Sequence, residues 1–198
     1  WLVGMVACAI DDNVQNHQLM LLHGAQGKGK STFIRHLLPP ELKDYYRNGM
    51  IIPENNNHLL QLSSCLLINL DEFDTLSPER MQNLKSLITQ DVVNERKVYD
   101  IQNYTYIRRA SFIASTNNPH CMPDVKENRR ILFSTLLNID YHTPVNHEGI
   151  YAQAYALYRQ GFQYWYENEE ITFLNNRNEA FRQKDPIEEN LFFYFRAA

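Results

Sequence analysis

Short apolar runs recur along the chain, each closed by polar or glycine-rich residues and separated from the next by amphipathic stretches. Gln18 to Leu22, Cys65 to Leu70, Ala110 to Thr116 and Ile131 to Leu137 read as strands. The Cys65 run carries too little polarity for a half-exposed strand; burial on both faces, as in a parallel sheet with helices on either side, accounts for it. Trp1 to Ile10 is apolar throughout, too short to span a bilayer and closed by Asp11-Asp12, so it predicts a buried helix. Thr32 to Leu38 predicts a helix stopped by Pro39-Pro40, and Glu41 to Tyr46 a short one. Asn48-Gly49 is a turn, Met50 to Ile52 a short strand candidate, and Leu59 to Leu62 an apolar segment after a polar loop. Ser77-Pro78 opens a helix that reaches about Thr89, with Ser77 as its N-cap.

The period changes between Asp91 and Arg109. Val92, Val93, Val98, Tyr99, Ile101, Tyr104, Tyr106 and Ile107 favour strands, and Gln102-Asn103 can turn the chain, so residues 91–109 predict an extended hairpin. From Ile150 the pattern is helical: one helix to about Tyr166, one near Glu169 to Arg182, and a third capped by Asp185-Pro186-Ile187-Glu188. The expected organisation is a core over residues 1–148 and a C-terminal helical segment over 149–198, packed on that core.

Composition changes this picture little. A chain of 198 residues with 44% hydrophobic content can bury one substantial core. A start at Trp1, without an initiator Met, reads as an excised part of a longer polypeptide. A formal charge of −4 excludes coating nucleic acid by bulk positive charge but leaves local basic patches open. Cys8, Cys65 and Cys121 are too scattered for a disulfide framework or a zinc spacing. Cys65 reads as core, and His120-Cys121 reads as a pair of loop residues before it reads as half of a metal site. Without a basic, signal-like start or a membrane span, a cytoplasmic location and no membrane partner are expected.

The chemistry begins at Gly24-Ala25-Gln26-Gly27-Lys28-Gly29-Lys30-Ser31-Thr32, which completes G-x-x-x-x-G-K-[ST] directly after an apolar strand and before a helix. Gly24, Gly27 and Gly29 permit backbone conformations closed to residues with a Cβ, so successive N–H groups can surround a phosphate. Lys30 is then the cation for the β- and γ-phosphates, and Ser31 a ligand for Mg²⁺. About forty residues on, the strand Cys65 to Leu70 ends in Asp71-Glu72, the pattern of a Walker B strand. Asp71 at such a strand end can hold Mg²⁺, and Glu72 can orient and polarise an attacking water. The strand Ala110 to Thr116 ends in Asn117-Asn118-Pro119; an amide there can bond a γ-phosphate or the lytic water, and the same residues also make a plain turn. In the hairpin, Arg96, Lys97, Arg108 and Arg109 interleave with tyrosines. Arg96, Lys97 and Tyr99 are the candidate contacts to single-stranded nucleic acid, against the alternative of a solvated hairpin.

Taken together, the order Gly-x-Gln-Gly-x-Gly-Lys-Ser-Thr-Phe, Leu-Asp-Glu-Phe, Arg108-Arg109 leading to Ser-Phe-Ile-Ala-Ser-Thr-Asn, and Asn-Arg-Arg resembles the virulence-associated protein E family. These are P-loop ATPases of phages, mobile islands and Bacteroides-type genomes, similar to the superfamily 3 helicases. The resemblance spans roughly Leu2 to Phe195; the chain departs from it at Asp124-Val125-Lys126-Glu127, where a Thr-Gly is expected. It implies a three-layer α/β core of AAA+ type, Asn117 as sensor, Arg129 and Arg130 as arginine-finger candidates, and the hairpin as a DNA-contacting pore element. It also implies ATP and Mg²⁺ as ligands, single-stranded DNA or a replication fork as partner, and a homo-oligomer, a hexameric ring, in the longer protein. The expected activity is Mg²⁺-dependent ATP hydrolysis driving a helicase or translocase. The alternatives are a P-loop ATPase switch, and a nucleotide-binding scaffold without motor activity.

Overall fold

The computed structural model describes residues 1–52, 55–70, 73–96, 103–122 and 128–183. Its frame is a five-stranded sheet in the order β2-β3-β6-β1-β7, built from β1 (Leu19–His23), β2 (Tyr46–Asn48), β3 (Leu67–Leu70), β6 (Ser111–Thr116) and β7 (Ile131–Thr135). All four neighbouring pairs are parallel, so every strand delivers its carboxyl end to one edge. The registers align Leu22 with Ser115 and Ser134, and Leu70 with Ala114. β6 therefore lies between the strand that enters the glycine-rich loop and the strand that leads to Asp71.

Alternate residues divide the apolar content between two faces, as the strand period of two requires. Leu19, Leu21, Ile68, Leu70, Phe112 and Ala114 join one core cluster with Leu62 of α3 (Asn56–Ser64) and Met81, Leu84, Leu87 and Ile88 of α4 (Pro78–Thr89). Leu22, Leu67 and Ile113 point the other way, onto Met5 of α1 (Leu2–Ile10) and Ile34 of α2 (Lys30–Arg35). The apolar character of α1 on all sides follows from its place: Met5 meets the sheet, while Val3 and Val6 meet Ala154 of α5 (His147–Arg159). α6 (Asn168–Glu179) follows, its buried Asn178 donating from Nδ2 to the Ile131 carbonyl at 2.8 Å. Just beyond α6, Phe181 stacks on Phe133 of β7 with ring centroids 3.4 Å apart. The result is a three-layer α/β fold with a helical C-terminal part, and α5 starts two residues ahead of the expected 148–149 boundary.

The hairpin is a separate two-stranded antiparallel sheet of β4 (Val92–Arg96) and β5 (Asn103–Ile107), in register from Val92↔Ile107 to Arg96↔Asn103. Val93 faces the core beside Tyr106, and Tyr104 is exposed.

Some local expectations move. The edge strand is Tyr46–Asn48, and Met50 to Ile52 is irregular: Gly49 at φ +121 ends the strand, and Ile51 enters the core without sheet pairing. α2 is displaced towards the glycine-rich loop, because Gly29 at φ +82 starts it at Lys30. Cys65 is buried as expected, but as the C-cap of α3 and not within the strand. The helix expected after Asp185 lies outside the described residues. No helix among the described residues is long and apolar enough to cross a membrane.

Candidate nucleotide-binding site

The carboxyl edge of the sheet gathers the glycine-rich loop of residues 24–32, the end of β6 and the segment after β7 around a cavity of about 490 Å³. Gln26 to Thr32 line one side of it, and Asp74, Thr116 and Asn117 another. β1 stops where the Gly24 N–H donates to the Thr116 carbonyl at 3.2 Å, so the loop starts at a fixed point beside β6. Gly27 at φ +77 has open space where a Cβ would be, which is what a backbone cradle needs. The other two loop glycines are held by their neighbours. A Cβ at Gly24 would come within 2.9 Å of the Leu136 carbonyl oxygen, and one at Gly29 would overlap the Tyr141 ring.

Lys30 is buried, and its ammonium donates to the carbonyls of Gly24 at 2.6 Å and Ala25 at 2.9 Å and to Asn117 Oδ1 at 2.6 Å. The strand order makes the last contact, since β6 is the neighbour of β1. Burial lowers the Lys30 ammonium from the usual lysine range, and the Asp74 carboxylate partly offsets this. Asp74 itself accepts from the Thr116 hydroxyl and, at 3.4 Å, from the Asn117 N–H. A charged chain thus runs from Asp74 through the turn after β6 to Lys30.

This arrangement suits an anion with several oxygens: a buried cation is aimed at a cavity whose wall is glycine backbone at the start of α2. Ser31 lines the same cavity and can offer its hydroxyl to a metal. Asp71 and Glu72 lie outside the described residues; Leu70, the last residue of β3, reaches the same edge beside Ala114.

Of the other candidates, Arg129 and Arg130 are not brought to this cavity. They sit in the turn before β7, at the amino edge of the sheet, and line a separate cavity of about 290 Å³ with Gln18, Thr89, Trp165 and Tyr166. Roughly 16 Å of strand separates the two edges at the usual rise per residue. Arg96 ends β4, and Lys97 and Tyr99 lie outside the described residues. Arg108 and Arg109 are structural: Arg108 is fully buried and donates to the carbonyls of Gln90, Ala110 and Asn16, while Arg109 reaches the Cys8 carbonyl and pairs with Asp12. Burial raises the Cys121 thiol to about 11, and no group of three metal-ligating side chains occurs among the described residues.

Sequence reasoning missed Asp74 and Tyr141. A signal existed for Asp74, the third acid in Asp71-Glu72-Phe73-Asp74. Tyr141 had none, because only the path of the chain after β7 brings it to Gly29.

The family model described as Virulence-associated protein E-like domain matches residues 1–183. The chain belongs to this family. Solved structures similar to this virulence-associated protein E-like domain include two of the NrS-1 C-terminal region, residues 305–718, both without ligand. They share 16% and 17% identity with TM-scores of 0.48 and 0.49, each over 90% of this chain. A third, also of the NrS-1 C-terminal region, shares 15% identity with a TM-score of 0.47 over 98% of the chain. The chain spans between 37% and 46% of the length of these structures. The comparison with curated proteins gives no match.

Proposed function

We propose that this virulence-associated protein E-like domain hydrolyses ATP with Mg²⁺ and is the motor of a superfamily 3-like DNA helicase or translocase within a longer protein. The observation that carries the reading is the junction at the sheet's carboxyl edge, where the Lys30 ammonium, the glycine-rich loop and Asn117 meet around one cavity. The loop N–H groups and Lys30 hold the phosphates, and Ser31 and Asp71 are the residues for Mg²⁺, which when bound neutralises charge developing on the phosphoryl oxygens. Asn117 orients Lys30 and reports on the terminal phosphate. Asp74 keeps Asn117 in place through its backbone N–H and the Thr116 hydroxyl. Glu72 draws the proton from the attacking water.

Arg129 and Arg130 serve the site of a neighbouring subunit in a head-to-tail ring. Their place at the opposite edge supports a role in trans, since a fold with parallel strands keeps them from their own phosphate loop. The hairpin offers Arg96, Lys97 and Tyr99 to single-stranded DNA.

The test is hydrolysis and nucleotide binding by the chain with and without single-stranded DNA. Lys30→Ala should abolish ATP binding, whereas Glu72→Gln should bind ATP and hydrolyse it roughly a hundredfold more slowly. Stimulation by single-stranded DNA separates a motor from a switch or a scaffold. Unaltered ATP affinity in Lys30→Ala would refute the reading.

A further inference from the structure

The cavity at the carboxyl edge is well equipped for phosphates and poorly equipped for anything flat and apolar. Its described lining is glycine, lysine, hydroxyl, amide and carboxylate, with one ring among them, that of Tyr141. A nucleotide held by its phosphates in the loop still has a base to desolvate. Aromatic side chains do this well, because stacking removes apolar surface from water and needs no hydrogen bond of fixed geometry.

Tyr141 is held in place from both sides. The segment after β7 runs alongside the phosphate loop, the Leu136 N–H donating to the His23 carbonyl at 2.7 Å and the Leu136 carbonyl lying over Gly24. It then turns on Asp140, whose carboxylate accepts from the N–H groups of His142 and Thr143, both at 3.1 Å, and from the Thr143 hydroxyl at 2.6 Å. That turn sets the half-buried Tyr141 ring against Gly29, so closely that only glycine fits there, with the His142 ring 4.3 Å away.

We infer that Tyr141, flanked by His142, is the contact for the nucleotide's base, and that the loop after β7 sets a preference for purines. The inference rests on the proposed reading of the cavity as a nucleoside triphosphate site. Base and phosphates are then held by two different segments joined at Gly29: the phosphate loop grips what all nucleotides share, and the loop after β7 senses what distinguishes them. Purines, with the larger π-face, gain more from the ring than pyrimidines do.

The experiment measures binding of ATP, GTP, CTP, UTP and inorganic tripolyphosphate to the chain and to its Tyr141→Leu and Tyr141→Phe variants. Tripolyphosphate has no base, and leucine fills the space beside Gly29 without a ring. Tyr141→Leu should lose about tenfold or more in ATP and GTP affinity, the usual effect of removing one stacked base, and should keep its tripolyphosphate affinity. Tyr141→Phe should bind all five as the parent does. Parent-like ATP affinity in Tyr141→Leu overturns the inference while leaving the phosphate site standing. Equal losses for ATP and tripolyphosphate also overturn it, by showing that the ring only shapes the loop. A parent chain that binds neither ATP nor tripolyphosphate overturns the proposed function and this inference together.

Discussion

Arg108 shows how little a residue's type says about its use. It stands in a stretch where cations alternate with tyrosines, yet its guanidinium is fully buried and spends its donors on three backbone carbonyls. Those carbonyls belong to Gln90 before the hairpin, Asn16 before β1 and Ala110 before β6, so one side chain ties three chain segments together. Arg108→Met should destabilise the fold by on the order of 3 kcal/mol, because buried acceptors lose their donors together. Denaturant unfolding checks this, and an unchanged midpoint would return Arg108 to the surface. Asp74 carries the opposite lesson. Sequence reasoning weighed the two acids directly after the strand and passed over the third, although the turn at Phe73–Thr75 brings Asp74 back against Thr116.

At the scale of elements, what was legible was what local chemistry specifies. Ser77 accepts from the Arg80 N–H at 3.3 Å with Pro78 in the first turn, and the helix ends at Thr89 as its pattern indicates. The hairpin was legible for the same reason, since strand formers crowd one stretch, although Asn103, read as part of its turn, instead opens β5 and pairs with Arg96. Whether its cations meet nucleic acid is a matter for measurement. Replacing both Arg96 and Lys97 by alanine should weaken single-stranded DNA binding and flatten its salt dependence by about 0.7 in slope for each phosphate left without its cation. Titrations at several salt concentrations check it, and an unaltered slope would remove the hairpin from the interface. The edge strand was not legible. Tyr46–Asn48 is short and polar, and it is a strand because β3 offers it partners, with the Asn69 amide donating to Asn48 Oδ1 at 2.5 Å.

For the whole molecule, the strand order sets which residues meet. β6 between β1 and β3 puts Asn117 next to Lys30, and the parallel direction of every strand puts Arg129 and Arg130 at the far edge. An Arg129→Ala/Arg130→Ala chain should bind ATP normally and hydrolyse it about 10³-fold or more slowly, as when a finger arginine is removed. Mixed with a Lys30→Ala chain, whose arginines are intact, it should regain hydrolysis at interfaces where a sound loop meets a sound arginine pair. Absence of recovery in assemblies containing both chains would refute a shared site.

The sequence by itself determined the glycine-rich loop, the strand that leads to the acid pair and the N-cap of α4, because glycine torsions, buried runs and cap hydrogen bonds act within a few residues. It also carried the family, which rests on the order of such local motifs. Only the tertiary structure decided that Gly24 and Gly29 are pressed by Leu136 and Tyr141, that Asp74 holds the turn bearing Asn117, and that Arg108 belongs to the core. Each of these is a contact between segments distant in the chain, set by the parallel packing of strands and by the paths their connections take. No local pattern encodes them.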